Sequence, residues 1–205
     1  MSKGSVVHML EDFGGGGMER QCLKIIVGMQ SRGIPTNLLL RTLEGKLLSI
    51  VPKDINIVSF SKKRMLTTLI PLMRYLRREK PRALFSHFYP ISIVAVMAKI
   101  LVGRENLHLI LVEHNTLSKG MLDSPLKKII TLFFMRWLYP KADKIVGVSD
   151  GVSRDLEKCL VLEKNSVNVN WKESDILIIN NMLISHGRRK YTGKRKVFVV
   201  MTNDK

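Results

Sequence analysis

Cysteine and aromatic residues are scarce in this sequence. Its two cysteines, Cys22 and Cys159, form no C-x-x-C pair among 205 residues, so their spacing favours reduced thiols and indicates no metal site. Aromatic residues make up only 6% of the chain, and no basic segment is interleaved with them. Because single-stranded nucleic acid is usually bound by stacking its bases on aromatic rings, we expect no nucleic-acid partner.

Apolar runs long enough to cross a membrane are also missing. The runs at residues 91–102 and 129–139 are shorter than the ~20 residues that a bilayer requires, and Lys99 and Arg136 interrupt them. Residues 1–10 have neither the apolar length of a signal peptide nor a cleavage site of small residues. The sequence therefore predicts a cytoplasmic protein, with peripheral attachment to the inner face of the cytoplasmic membrane left open.

Acidic residues are outnumbered two to one. The chain has 34 Lys and Arg residues against 17 Asp and Glu residues, a formal charge of +17. By charge alone such an excess favours a polyanionic partner, for which nucleic acid, an anionic membrane surface and a phosphorylated substrate all qualify. Apolar residues make up 45% of the chain, which excludes a disordered protein, and 205 residues are enough for one domain or slightly more.

Short apolar runs alternate with amphipathic helical patterns along most of the chain. The runs predict strands at residues 6–10, 36–41, 55–60, 83–86, 107–113, 144–148 and 176–180. The patterns between them predict helices at residues 18–32, 62–79, 90–102, 124–139 and 151–162. This alternation is typical of an α/β fold, a Rossmann-like parallel sheet with helices on both faces.

Four consecutive glycines, Gly14, Gly15, Gly16 and Gly17, separate the first predicted strand from the first predicted helix. Glycine lacks a Cβ, so a ligand can approach the main chain closely, and the free N–H groups at the start of a helix attract anions. Two interpretations stay open here, a phosphate-binding loop and a tight turn without a ligand.

Two acidic residues precede these glycines. Glu11 and Asp12 end the first apolar run. They are either general bases near the glycine loop or solvated loop carboxylates.

Polar side chains follow three other predicted strands where each strand ends. His87, then His114 with Asn115, and Ser149 occupy these positions. Ligands of such sheets bind at the carboxyl ends of the strands, so these side chains are candidates for contact with a phosphate or a sugar hydroxyl. The alternatives are structural: His87 and His114 as strand caps, and Ser149 as the N-cap of the helix that follows it.

The alternating pattern loosens towards the end of the chain. We expect a Rossmann-like domain over residues 1–165 and an irregular basic linker over residues 166–196, which contains "SHGRRKYTGKRK". Residues 197–205 begin with the apolar run "VFVVM", which predicts the first strand of a second, missing domain.

Three motifs in order resemble glycosyltransferase family four, the retaining nucleotide-sugar transferases with the two-domain GT-B fold. The stretch "GGGGMERQCLKIIVGMQSRGIPTNLLL" is similar to the family's glycine pair, acidic residue, amphipathic helix and second strand. The stretch "EHNTLSK" resembles its histidine-bearing loop, and "WLYPKADKIVGVSDGVSRDL" resembles its later strand, serine and helix. The resemblance covers roughly residues 5–162 and implies the N-terminal, acceptor-side half of a GT-B fold.

The resemblance also implies roles for individual residues. Gly15, Gly16 and Gly17 would approach the donor diphosphate, with Glu19 as the acidic partner of the loop. His114 would be the catalytic histidine near the transferring sugar. The remaining substrate-binding positions that we assign are His87, Asn115, Thr116 and Ser149, with Asn115 and Thr116 on the acceptor side.

The function that follows from the resemblance is sugar transfer. The chain would act on a nucleotide sugar and a glycan or lipid-linked acceptor in cell-envelope polysaccharide or lipopolysaccharide synthesis, without a metal or another cofactor. The resemblance ends before the donor-binding half, so we expect a truncated enzyme that is inactive alone.

Two other functions stay open. A nicotinamide-dependent oxidoreductase would need G-x-G-x-x-G and a later acid, but Glu19 takes the place of the last glycine and the second strand ends in Arg41. A non-enzymatic module that binds anionic membrane is the third hypothesis. Residues 61–82 favour it because an apolar stripe, Leu66, Leu69, Ile70, Met73 and Leu76, is flanked by basic residues. The same stripe would equally suit packing on the sheet.

Overall fold

The computed structural model of the chain describes residues 4–62, 64–117 and 125–160. Six strands run through this part of the chain, and each begins or ends within two residues of its predicted bounds. They are β1 (Val6–Leu10), β2 (Thr36–Leu40), β3 (Asn56–Ser59), β4 (Ala83–His87), β5 (His108–Glu113) and β6 (Lys144–Gly147). The strands predicted at 176–180 and after residue 197, and with them the linker and second domain, lie outside the described residues.

Five α-helices connect or follow the strands. They are α1 (Gly17–Ser31), α2 (Leu69–Glu79), α3 (Ile91–Val102), α4 (Pro125–Leu138) and α5 (Asp150–Leu160). Short 3₁₀ helices precede β3, α2 and β6, at Lys46–Ile50, Met65–Thr68 and Tyr139–Lys141.

The start of α2 is the main difference from the predicted helices. The amphipathic pattern predicts a helix from residue 62, whereas the α-helix begins at Leu69. A helix from residue 62 would place Pro71 in its interior, where the ring lacks a donor and clashes with the preceding turn. Starting at Leu69 puts Pro71 in the first turn, where its missing N–H costs nothing.

All six strands are parallel and form one sheet in the order β3-β2-β1-β4-β5-β6. The order reverses between β1 and β4, which pair with Val6 opposite Ala83 and Met9 opposite Ser86. In open α/β sheets ligands bind outside the carboxyl ends of the strands at such a reversal. The predicted α/β fold class is confirmed.

Apolar side chains of the sheet pack on both of its faces. Val7, Met9 and Leu39 join one core cluster with residues of α2, α3, α4 and α5. Leu38 and Leu40 join a second cluster with residues of α1, including Cys22 and Ile26. Because successive side chains of a strand point to opposite faces, these two clusters lie on opposite sides of the sheet.

No described helix combines the length and apolarity that crossing a bilayer requires. This agrees with the prediction for residues 91–102 and 129–139.

Candidate functional site

The glycine loop follows β1 and is fixed by a second loop. The N–H of Phe13 donates to the Glu44 carbonyl at 2.8 Å, and the N–H of Leu47 donates to the Phe13 carbonyl at 3.2 Å. Gly45 permits this approach, since its φ is +132° and a Cβ added there would lie 2.0 Å from the Phe13 carbonyl. Phe13 itself is fully buried, so the loop is anchored where it leaves the strand.

The other end of the loop is open. Gly15 has a φ of +115°, and Gly16 is the N-cap of α1 without any side-chain hydrogen bond to the helix. A Cβ added at Gly17 would meet no atom within 4 Å. The first turn of α1 therefore begins with backbone N–H groups that no capping side chain satisfies, beside open space, which suits an anion.

Glu19 and Arg20 lie at the same helix terminus. A Cβ added at Gly16 would be 2.7 Å from Glu19 Oε2, so this carboxylate packs against the loop. The positive end of the helix dipole stabilises a negative group there, whether it is a side chain or a ligand. Arg20 Nε donates to the Gly15 carbonyl at 3.0 Å and adds a cation to the loop.

The two acids before the glycines are held by local contacts. Asp12 Oδ1 accepts from the N–H of Gly14 at 2.9 Å. Glu11 Oε1 accepts from Arg41 at 2.5 Å, and Arg41 also donates to the Lys62 carbonyl at 2.5 Å. These contacts tie the ends of β1, β2 and β3 together and give both carboxylates a structural part.

Three histidines form a chain of hydrogen bonds through the reversal of the sheet. His8 Nδ1 lies 3.0 Å from His87 Nε2, and His87 Nδ1 lies 3.2 Å from His114 Nε2. His8 and His87 are buried in β1 and β4, while His114, directly after β5, is half-buried. The His8 ring also stacks on Phe85, with the ring centres 4.9 Å apart. The structure thus brings His87 and His114 together and adds His8, which the sequence did not single out.

Burial keeps these three histidines neutral. It lowers the pKa of His8 to about 3. It also lowers the pKa of His87 well below the usual histidine value, with a further contribution from His8 and His114, and it lowers the pKa of His114. Each ring therefore carries one proton near neutral pH, and the hydrogen bonds fix which nitrogen holds it.

The unpartnered nitrogen of His8 favours one direction of hydrogen-bond donation along the three histidines. His8 Nε2 is buried without a hydrogen-bond partner among the described residues. A buried N–H without an acceptor is rarer than an acceptor without a donor. His8 Nε2 is then the bare nitrogen, His8 and His87 both donate from Nδ1, and His114 accepts at Nε2. The remaining N–H of His114 is then on Nδ1.

Cys22 of α1 approaches the same histidines. Its Sγ lies 3.7 Å from His87 Nε2, and ligand atoms of His8, Cys22 and His87 all fall within 4.8 Å of one another. A metal ion would need the thiolate, but burial raises the pKa of Cys22. A structural metal also prefers four ligands, and the described residues offer three here. The cluster was missed from sequence because its members belong to three separate elements.

Glu113 is a buried carboxylate beside His114. Its Oε1 accepts from the Tyr139 hydroxyl at 2.6 Å, and its Oε2 accepts from the N–H of Tyr89 at 3.1 Å. Burial raises the pKa of Glu113, although these donors oppose the shift. The carboxylate joins β5 to the loop after β4 and to the segment before β6. It thereby fixes the backbone from which His114 projects.

The other predicted site residues differ in their surroundings. Asn115 is exposed and Thr116 is half-buried, directly after His114. Ser149 caps α5, with its Oγ 3.3 Å from the N–H of Val152 and its carbonyl accepting from Ser153 at 2.9 Å. The structural alternative for Ser149 is therefore realised. The contact of any of these residues with substrate stays a prediction.

Comparison with solved structures shows which class of fold this is. WaaB, a lipopolysaccharide outer core galactosyltransferase in its apo form, aligns with a TM-score of 0.58 and 14% identity over 76% of this chain and 42% of its own. HepE from Anabaena, in complex with UDP, aligns with a TM-score of 0.54 and 13% identity over 76% of this chain and 40% of HepE. MurG from Acinetobacter baumannii aligns with a TM-score of 0.50 and 18% identity over 72% of this chain and 42% of MurG. The domain has the Rossmann-like fold of the N-terminal half of a GT-B glycosyltransferase.

The sequence itself identifies the family. The family described as Glycosyltransferase Family 4 matches residues 15–169, more than half of the chain. The chain belongs to glycosyltransferase family 4, as the motifs predicted. No curated protein matches it in sequence. The chain spans 42% of the length of WaaB and a similar share of the other two structures.

Proposed function

We propose that this domain is the acceptor-side half of a retaining glycosyltransferase that moves a sugar from a nucleotide sugar to a glycan or lipid-linked acceptor. The observation that carries the proposal is the uncapped start of α1 at Gly16 and Gly17, after β1, together with the hydrogen-bonded histidines that lead from β1 through β4 to His114 at the end of β5. Family membership and the UDP bound to HepE support a nucleotide-sugar donor.

The site suits the charge changes of this reaction. When the bond between the sugar's anomeric carbon and the phosphate oxygen breaks, its electron pair stays on the leaving diphosphate. Backbone N–H groups at the start of α1 and the dipole of the helix stabilise that negative charge without a metal. The neutral His114 would donate from Nδ1 to a sugar hydroxyl or a phosphate oxygen.

Several finer features belong to the same proposal. Synthesis of cell-envelope polysaccharide or lipopolysaccharide is the pathway we favour. Turnover is metal-independent and survives treatment with a chelator. The protein acts in the cytoplasm, at the inner face of the membrane where lipid-linked acceptors reside.

A substitution pair on one strand tests the role of His114. We expect His114→Ala to lower the rate of sugar transfer by more than about tenfold in the active enzyme, because a hydrogen bond to the reacting groups is lost. His108→Ala is the matched control, since His108 is exposed at the opposite end of β5 and should leave the rate unchanged.

Ligand-induced stabilisation tests the class of substrate. Nucleoside diphosphates and nucleotide sugars should raise the melting temperature of the protein, and dinucleotides should not. Stabilisation by NAD(P) alone would contradict the proposal.

Loss of thermal stability in His114→Ala with intact turnover would reduce His114 to a strand cap.

A further inference from the structure

The outer side of α4 carries five large apolar side chains that the described residues leave about half or more exposed. They are Ile129 (65% exposed), Ile130 (48%), Phe133 (69%), Phe134 (48%) and Trp137 (66%), which we call the α4 face. Their spacing of three and four residues places them along one side of the helix.

Among the described residues, the core uses the other side of α4. The inner side of α4 already packs on the core through Met135 and Leu138, which are almost fully buried. A surface helix normally has one apolar stripe facing the core and a polar outer side. A second apolar stripe that faces outwards marks a surface that binds something.

The charges around the α4 face indicate the partner. Residues 125–142 contain four basic residues, Lys127, Lys128, Arg136 and Lys141, and no acidic residue. The helix with this apolar and aromatic face therefore carries basic residues and no acidic residue in its own sequence, the pattern of a helix that lies in the headgroup region of an anionic membrane. Tryptophan is enriched at that depth. Docking of two copies through this face would bring two basic helices together, which disfavours self-association.

We infer that the α4 face docks the domain on an anionic lipid bilayer. This inference deepens the membrane association within the proposed function and replaces residues 61–82 as the docking surface. In that segment the stripe packs largely inwards, since Leu76 is buried and Leu69 and Met73 pack against the core. Only Leu66 and Ile70 of the stripe stay exposed, at 67% and 61%.

These two surfaces offer matched variants. Ile129→Ser with Phe133→Ser removes two side chains of the α4 face that are 65% and 69% exposed. Leu66→Ser with Ile70→Ser removes two from the competing segment that are 67% and 61% exposed. Both pairs are surface changes, so thermal melting should show similar stability for both.

Vesicle binding of the full chain is the measurement. The chain has two tryptophans, and Trp171→Phe leaves Trp137 as the only reporter. We expect the emission of Trp137 to shift to shorter wavelength with vesicles of phosphatidylcholine mixed with phosphatidylglycerol. The response to phosphatidylcholine alone should be weaker, and high salt should reduce binding. The α4 pair should weaken binding by about tenfold or more, and the control pair by less than about twofold.

Several outcomes would overturn the inference. Unchanged vesicle binding in the α4 pair, or a loss only in the control pair, would move the docking surface elsewhere. No vesicle binding, together with a dimer in sedimentation that the α4 pair dissociates, would make the α4 face a self-association interface. Vesicle binding does not require sugar transfer, so a negative result here leaves transfer to a soluble acceptor intact and the proposed function standing.

Discussion

Two amide substitutions of His87 separate its part in stability from its part in the site. Asn places its amide nitrogen the same number of bonds from Cα as His Nδ1, whereas Gln matches Nε2. His87→Asn therefore keeps a donor for His114 Nε2 but removes the contact with His8 Nδ1. His87→Gln keeps the contact with His8 and removes the one with His114.

The two variants should differ in stability because His8 and His114, the residues that lose a hydrogen-bond partner, differ in burial. His87→Asn leaves a nitrogen of the fully buried His8 without a partner, and an unsatisfied buried group costs about 1–3 kcal/mol. His87→Gln leaves a nitrogen of the half-buried His114, which water can reach in part, so about 1 kcal/mol is expected. Chemical denaturation should show His87→Asn as the less stable variant.

Function should follow the opposite order. His87→Asn retains the hydrogen bond that orients His114 and should keep most of the transfer rate. His87→Gln lets the ring of His114 turn and change its tautomer, and should lose about tenfold. Nitrogen NMR of the imidazoles measures the tautomer of His114 directly. If the less stable variant were also the less active one, the histidine chain would serve stability alone.

Two further substitutions test other contacts. Gly17→Ala should lower donor affinity several-fold in calorimetry, since an added methyl group would occupy the open space beside the first turn of α1, and should keep stability within about 0.5 kcal/mol. Gly45→Ala, which clashes with Phe13, is the control that should lose stability instead. Burial would raise the pKa of Asp143, but hydrogen bonds from Lys99 and a backbone N–H outweigh burial and lower the pKa. The contribution of the Asp143 carboxylate to stability is therefore complete above its unfolded pKa of about 3.9 and is lost as pH falls through its folded pKa. Asp143→Asn should thus destabilise by less than about 1 kcal/mol at neutral pH, because the carboxylate is 38% exposed, and by nothing in acid; a constant difference in urea denaturation across pH would contradict this.

The strands and the glycine loop could be predicted from local sequence alone. Alternating apolar runs specify strands and amphipathic helices wherever they occur, and four glycines after "VVHML" mark a turn before a helix. Pro71 shows the limit of that reasoning, because the apolar pattern extends across it while the α-helix does not.

The histidine chain could not be predicted in this way. His8 and His87 meet because β1 pairs with β4, and that neighbourhood depends on the strand order of the whole sheet. Cys22 joins them because α1 covers that face of β1. The exposure of Phe133 and Trp137 is equally a property of the folded chain, since an apolar run shows how much can be buried and not which side is covered.

The pairing of β1 with β4 also sets an order on folding during synthesis. Val6 pairs with Thr36 on one side and with Ala83 on the other, so the first edge of β1 can close early and the second cannot. Until β4 has emerged, the central strand of the finished sheet is an edge strand with unpaired N–H and C=O groups, which is a template for joining other chains. Parallel pairings of this sequence separation are slow to form and prone to aggregation. The nascent chain therefore keeps this edge of β1 unpaired until β4 emerges, an interval in which a chaperone that covers the edge would protect the chain.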